Sequence, residues 1–147
     1  MAEHFEDVEV GSTREFGEYQ VTKEEVVEFA EQYDPQAFHV DEEAAEESLF
    51  GGLVASGWHT AAMTMRMIVD DMPTDSASAG AIGVDELRWK KPVRPGDTLR
   101  VRSEVVDKEP WRGQYGLVHN GTTVYNQDDQ EVMSFVGKIL YERRNPE

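Results

Sequence analysis

The sequence contains no cysteine. That absence removes disulfides, thiolate zinc sites and cysteine nucleophiles together, and leaves the redox compartment open. No run of eighteen or more apolar residues occurs, so no membrane-spanning helix is expected. The opening stretch, MAEHFEDVEVGSTREFGEY, has neither a basic end nor an apolar core, so no signal peptide is expected and the cytoplasm is the default location. Phosphate-binding glycine loops, HExxH helices and GxSxG elbows are also missing, which sets aside nucleotide hydrolysis, zinc peptidase chemistry and serine hydrolase chemistry. GSTREFG and FGGLVASG carry glycines without the required spacing. Lysine is scarce, with 5 Lys against 9 Arg.

Acid is what the chain has in excess. Thirty Asp and Glu face 14 Lys and Arg, a formal net charge of −16. Such a surface repels nucleic acid and anionic membranes. The acids run from Glu3 to Glu147 with no single acidic tail, as in a solvated shell. High acid with little lysine also suits a protein adapted to high salt, where screening suppresses self-repulsion.

The 147 residues suit one domain spanning the whole chain, with no internal repeat. Residues 22–33, TKEEVVEFAEQY, carry the capping-box pair Thr22 and Glu25 and an apolar stripe at Val26, Phe29, Ala30 and Tyr33, which predicts a surface helix. Pro35 disfavours helical backbone at Asp34, so the helix should end there. Asp41 reads as the N-cap of a short helix, EEAAEES. From Gly57, GWHTAAMTMRMIVDD is apolar nearly all round, the mark of a core helix. MPTDSASAG follows as a loop.

Beyond residue 80 the pattern changes to strands at AIGVDELRWKKPV, DTLRVRSEVVDKE, QYGLVHNGTTVYN and EVMSFVGKILYER, divided by short turn-forming breaks. A further strand is expected near REFGEYQV. The predicted architecture is α+β: helices first, then a four-stranded antiparallel meander packed on the apolar helix.

Three stretches carry chemistry. In YDPQAFHVD, Asp34 and His39 stand five residues apart across an Asp-Pro bend, where the chain can fold back and direct both side chains at one point. A carboxylate and an imidazole holding one water can take a proton from it and return one elsewhere. Asp34 capping its turn and His39 filling a partly buried niche would account for the same residues. In FGGLVASGWHT, residues 50–60, glycines lead into a helix whose unpaired N–H groups can hold a developing oxyanion, or simply allow close packing. The stretch 88–102, RWKKPVRPGDTLRVR, holds six of the fourteen basic residues and could meet a polyanion or protect a strand edge. His4, His59 and His119 read as terminal, core and strand residues, and no metal site is indicated.

These three stretches, in this order, resemble the MaoC-like dehydratase family, hotdog-fold hydratases that include the R-specific enoyl-CoA hydratases. The family motif runs Asp, any residue, Asn, Pro, any residue, His; Asp34, Gln36, Ala37 and His39 occupy those places, so both catalytic types match while Asn and Pro are replaced. FGGLVASGWHTAAM resembles the start of the central hotdog helix, with Gly57 at the oxyanion donor position and Ala62 where some members carry a Ser that contacts the site. LRWKKPVRPGDTL resembles the family's strand and Gly-Asp turn. The likeness covers roughly residues 5–142.

The resemblance implies a hotdog fold, an antiparallel sheet wrapped around a long central helix, and a homodimer or higher homo-oligomer whose sheets join edge to edge. A single sheet would then leave part of the apolar helix uncovered. It implies reversible hydration of a trans-2-enoyl-CoA, with Asp34 and His39 holding the water and the Gly57 N–H polarising the thioester carbonyl. The acyl-CoA is the substrate and no further cofactor is implied. Lys90, Lys91 and Arg94 are the expected contacts for the CoA phosphates. A hotdog thioesterase and a non-catalytic acyl-CoA-binding subunit remain as alternatives, because one fold hosts several chemistries.

Overall fold

Helix α1 (Lys23–Tyr33) ends where Pro35 requires, with Asp34 at its C-cap in non-helical geometry, φ −153° and ψ 68°. The structure, a computed structural model, describes residues 3–145. Strand β1 (Thr13–Gln20) precedes α1; α2 (Ala37–Val40), α3 (Glu42–Glu46) and α4 (Gly57–Asp71) follow it. Four more strands complete the chain: β2 (Ser78–Trp89), β3 (Thr98–Pro110), β4 (Tyr115–Tyr125) and β5 (Glu131–Glu142). Asp41 caps α3 as expected, its Oδ1 accepting from the N–H groups of Glu43 and Ala44 at 3.0 and 3.3 Å. The one-turn helix α2, which carries His39, has no counterpart in the apolar periodicity and is too short to show one.

The capping box of α1 forms only by half. Thr22 accepts from the Glu25 N–H at 3.3 Å. The Glu25 carboxylate turns inward instead, to the Tyr19 hydroxyl and to His59 Nε2. A buried imidazole is the more demanding partner, because leaving its polar atoms unpaired costs more than leaving a solvated cap.

The five strands form one antiparallel sheet in the order β1-β3-β4-β5-β2. The expected four-stranded meander is therefore corrected: β3, β4 and β5 meander, but β2 pairs with β5 at the far edge. The reason lies in the connection from β2 to β3. Residues 90–97 do not make a hairpin; they run past the helical layer, where the Ala55 N–H donates to the Val93 carbonyl at 2.8 Å and the Gly96 N–H to the Val21 carbonyl at 2.8 Å.

Helix α4 packs on β1 and β3. Met63 and Met67 join Val26, Leu99, Val101, Val124, Val132 and Met133 in the main core, where each large apolar side chain contributes about 1.5–3 kcal/mol. The buried face of α4 also holds Thr60 and Thr64, and Thr64 satisfies its hydroxyl by donating to the Thr60 carbonyl at 2.8 Å. Trp58, Met65 and Val69 lie exposed on the helix, and Ile82 and Val84 on edge strand β2, so the sheet does not cover the helix fully. Among the described residues no helix is long and apolar enough to cross a membrane.

Strand β1 passes over α4 at Gly17, inside a register shift and at φ +88°. A Cβ there would lie 2.7 Å from Met67 Sδ and 3.1 Å from Met67 Cβ. Gly17→Ala meets both a left-handed backbone and a full core, and should destabilise the protein by about 1–3 kcal/mol. Urea unfolding checks this; an unchanged midpoint would mean that β1 does not lie this close to the helix.

Candidate active site

The stop at Pro35 and the single turn of α2 fold Asp34 and His39 back onto each other. His39 Nε2 lies 3.3 Å from Asp34 Oδ2, with side-chain exposures of 7% and 18%. The other ring nitrogen of His39 is 2.7 Å from the Val54 carbonyl oxygen. A carbonyl only accepts, so Nδ1 carries the hydrogen, and Nε2 is the ring nitrogen that faces Asp34.

Both oxygens of Asp34 are held. Gln36 Nε2 donates to Oδ1 at 2.7 Å and Ser56 Oγ to Oδ2 at 2.7 Å. Burial by itself pushes this carboxyl up, but the hydrogen bonds from Gln36 and Ser56 and the proximity of His39 outweigh it and hold Asp34 below the ordinary aspartate value. Asp34 is thus ionised throughout the neutral range.

The third part of the site is the start of α4. Ser56 is its N-cap, accepting from the Trp58 N–H at 3.2 Å. The Gly57 N–H, at the positive end of the helix, donates to no group among the described residues. The Trp89 indole lies against Gly57: a Cβ at that position would sit 2.3 Å from Trp89 Cε2. Glycine is required here for close approach. Trp58 meets Trp89 edge to face, with ring centroids 5.1 Å apart.

Asp34, His39 and Gly57 open into one cleft of about 460 Å³, walled by Phe38, Phe50, Val54, Trp58, Trp89 and Val93. A larger groove of about 690 Å³ runs along the outside of α1, but it offers only Lys23, Glu24, Glu28 and Glu31 as charged groups and has no imidazole. The Asp34 cleft therefore has the acid–base pair, the free donor and the apolar walls together. It can hold a water beside carboxylate and imidazole, within reach of both, while a carbonyl oxygen lies on the helix end.

Of the residues singled out in the sequence, Asp34, His39, Gly57, Lys90 and Lys91 line this cleft. Lys90 Nζ is 3.2 Å from the Glu131 carboxylate, and Lys91 makes no ion pair among the described residues. Arg94 is not part of the wall; its guanidinium donates to the Phe50 carbonyl at 2.6 Å and braces the glycine-bearing segment. Ala62 lies in a separate groove with Tyr19, Glu25 and His59. His59 is a core residue as expected, 3% exposed and stacked on Phe29. Burial, opposed by the contact with Glu25, lowers its pKa below the ordinary histidine value. On the outer part of the β3–β4 ladder, Asp107, Glu109 and His119 bring potential ligand atoms within 4.8 Å of one another, an arrangement of strand partners invisible in the linear order.

Sequence reasoning missed Ser56, Gln36 and Trp89. Ser56 carried a signal, a Ser directly before a helix start, and Gln36 stood in the motif's Asn place. Trp89 had none, because its contact with Gly57 spans two separate elements.

Residues 6–126 match the family described as MaoC like domain. The chain belongs to the MaoC-like family. The uncharacterized protein YdeM of Bacillus subtilis is 36% identical over 120 residues, 81% of this chain and 83% of that protein. A 3-hydroxybutyryl-CoA dehydratase of Methylorubrum extorquens is 33% identical over 111 residues, 74% of this chain and 68% of that one. The crystal structure of a MaoC-like dehydratase from Rhodospirillum rubrum superposes with a TM-score of 0.88 at 40% identity, covering 98% of this chain and 99% of the other. The hotdog class of this MaoC-like chain follows from these likenesses and from its antiparallel sheet on α4.

The contact between Gly57 and Trp89 makes a specific prediction for this MaoC-like site. Gly57→Ala must displace the indole and with it one wall of the cleft, so the near-ultraviolet circular dichroism of the Trp58–Trp89 pair should change and urea unfolding should show a loss of about 1–3 kcal/mol. An unchanged spectrum in a folded variant would mean that Trp89 does not lie on Gly57.

Proposed function

We propose that the protein adds water reversibly across the double bond of a trans-2-enoyl-CoA, giving the 3-hydroxyacyl-CoA. The observation that carries this reading is the facing pair of Asp34 and His39, 3.3 Å apart, in one cleft with the unpaired Gly57 N–H. The name of the Methylorubrum extorquens relative, a 3-hydroxybutyryl-CoA dehydratase, supports the same reaction class.

The thioester carbonyl oxygen accepts from the Gly57 N–H, so that charge developing on it as the nucleophile attacks is stabilised; one such donor is typically worth about 3 kcal/mol. The attacking water lies beside the pair, within hydrogen-bond reach of both Asp34 and His39. His39, with Nδ1–H committed to the Val54 carbonyl, takes the water's proton on Nε2 while the oxygen bonds to C3. The electron pair of the double bond moves to C2 and the carbonyl oxygen, and C2 then receives the proton from Nε2. Atoms balance: one water enters, and its oxygen ends on C3 and its hydrogens on that oxygen and on C2. Asp34 orients the water and compensates the imidazolium charge.

The CoA phosphates approach an acidic protein, and Lys91, unpaired at the cleft, is their best contact. Lys90 would have to release Glu131, and Arg94 the Phe50 carbonyl.

Loss of enoyl absorbance with crotonyl-CoA, at low and molar KCl, tests the reading. Asp34→Asn and His39→Ala should each lower kcat on the order of 10²- to 10⁴-fold with the fold intact. Lys91→Ala should raise KM more than it lowers kcat. Release of free CoA would select thioester hydrolysis. Binding of several acyl-CoAs without turnover would select a binding subunit.

A further inference from the structure

The hydroxyl of Ser56 serves two groups at once. It accepts the Trp58 N–H of the first turn of α4 at 3.2 Å and donates its only hydrogen to Asp34 Oδ2 at 2.7 Å. Ser56 is fully buried, so water offers it no alternative partner. With a backbone donor occupying a lone pair, the hydrogen is directed at the carboxylate, and a proton on Asp34 Oδ2 would confront it. Gly57, the next residue, carries the free N–H. One hydroxyl therefore ties the carboxylate of the acid–base pair to the helix end that carries the oxyanion donor.

We propose that Ser56 is a positioning residue: its hydroxyl holds Asp34 as an anion in fixed orientation toward His39, so that the moving proton belongs to His39. This rests on the hydratase reading for its catalytic consequence, but its effect on Asp34 does not. The other titratable groups facing Asp34 are few. His39 comes from α2, and Lys90 and Lys91 from the connection after β2; among the described residues no other ionisable side chain lines the cleft.

A capping role alone predicts different behaviour from a positioning role. Glycine is nearly as good an N-cap as serine, so Ser56→Gly removes the donor and largely keeps the cap. Ser56→Thr keeps both. The Ser56 hydroxyl helps to hold Asp34 below its ordinary value, and removing a donor to the charged form lets its pKa rise.

The experiment is a ¹³C NMR titration of the Asp34 carboxyl in the wild type, Ser56→Gly and Ser56→Thr, with pH profiles of crotonyl-CoA hydration for the same proteins. In Ser56→Gly the Asp34 titration should move to higher pH. Its kcat should fall about 10- to 100-fold, the worth of one charge-assisted hydrogen bond, while KM stays within about twofold. Threonine should restore both. A folded Ser56→Gly with an unmoved Asp34 titration overturns the proposal, as does a moved titration with unchanged kcat. A wild type that hydrates nothing overturns the hydratase reading instead, and the carboxyl titration, which needs no turnover, still decides whether Ser56 holds Asp34.

Discussion

The separate parts of the site meet on the short stretch Val54, Ala55 and Ser56. The Val54 carbonyl fixes the tautomer of His39, the Ala55 N–H binds the Val93 carbonyl of the connection after β2, and the Ser56 hydroxyl takes Asp34. All three residues are buried, at 2%, 7% and 0% exposure. In such a setting an unmade hydrogen bond costs about 1–3 kcal/mol, so each contact constrains its partner closely. The next residue, Gly57, then begins α4 with its N–H free. This short stretch thereby sets the relation of imidazole, carboxylate and free N–H donor.

Each partner reaches that stretch for a local reason. Proline at 35 ends α1 and turns Asp34 inward, and one turn of α2 brings His39 back to face it. Arg94 braces the approach through the Phe50 carbonyl, next to glycines that let the segment bend. Trp89, at the end of β2, lies directly on Gly57 and forms the wall that the acyl group would meet. Burial of the cleft raises the cost of charge on Asp34, and the donors from Gln36 and Ser56 more than offset it. The same low polarity strengthens the pull of the Gly57 N–H on any carbonyl placed there.

What was legible beforehand is what short-range chemistry determines. Thr22, Pro35 and Asp41 mark helix ends, and their positions hold to a residue because caps and proline act on their immediate neighbours. Asp34, His39 and Gly57 were legible through spacing and through the family pattern together. The position of β2 beside β5 was not, because turn-forming residues such as Pro92, Pro95 and Gly96 read alike in a hairpin and in a crossing connection. The bond from Arg94 to the Phe50 carbonyl was hidden for a similar reason: a cation in a basic run gives no sign that a carbonyl 44 residues away will take it. Ser56 shows the reverse case, where a helix cap could be read and its second partner, brought by tertiary folding, could not.

Addition of one water, held beside Asp34 and His39, to C3 of an enoyl thioester can be followed by mass spectrometry of the products formed from crotonyl-CoA in H₂¹⁸O. The expected product is intact 3-hydroxybutyryl-CoA carrying one ¹⁸O on C3, lost in the Asp34→Asn variant. Free CoA with ¹⁸O in a released carboxylate, or unlabelled crotonyl-CoA recovered at full occupancy of the cleft, would rule that addition out.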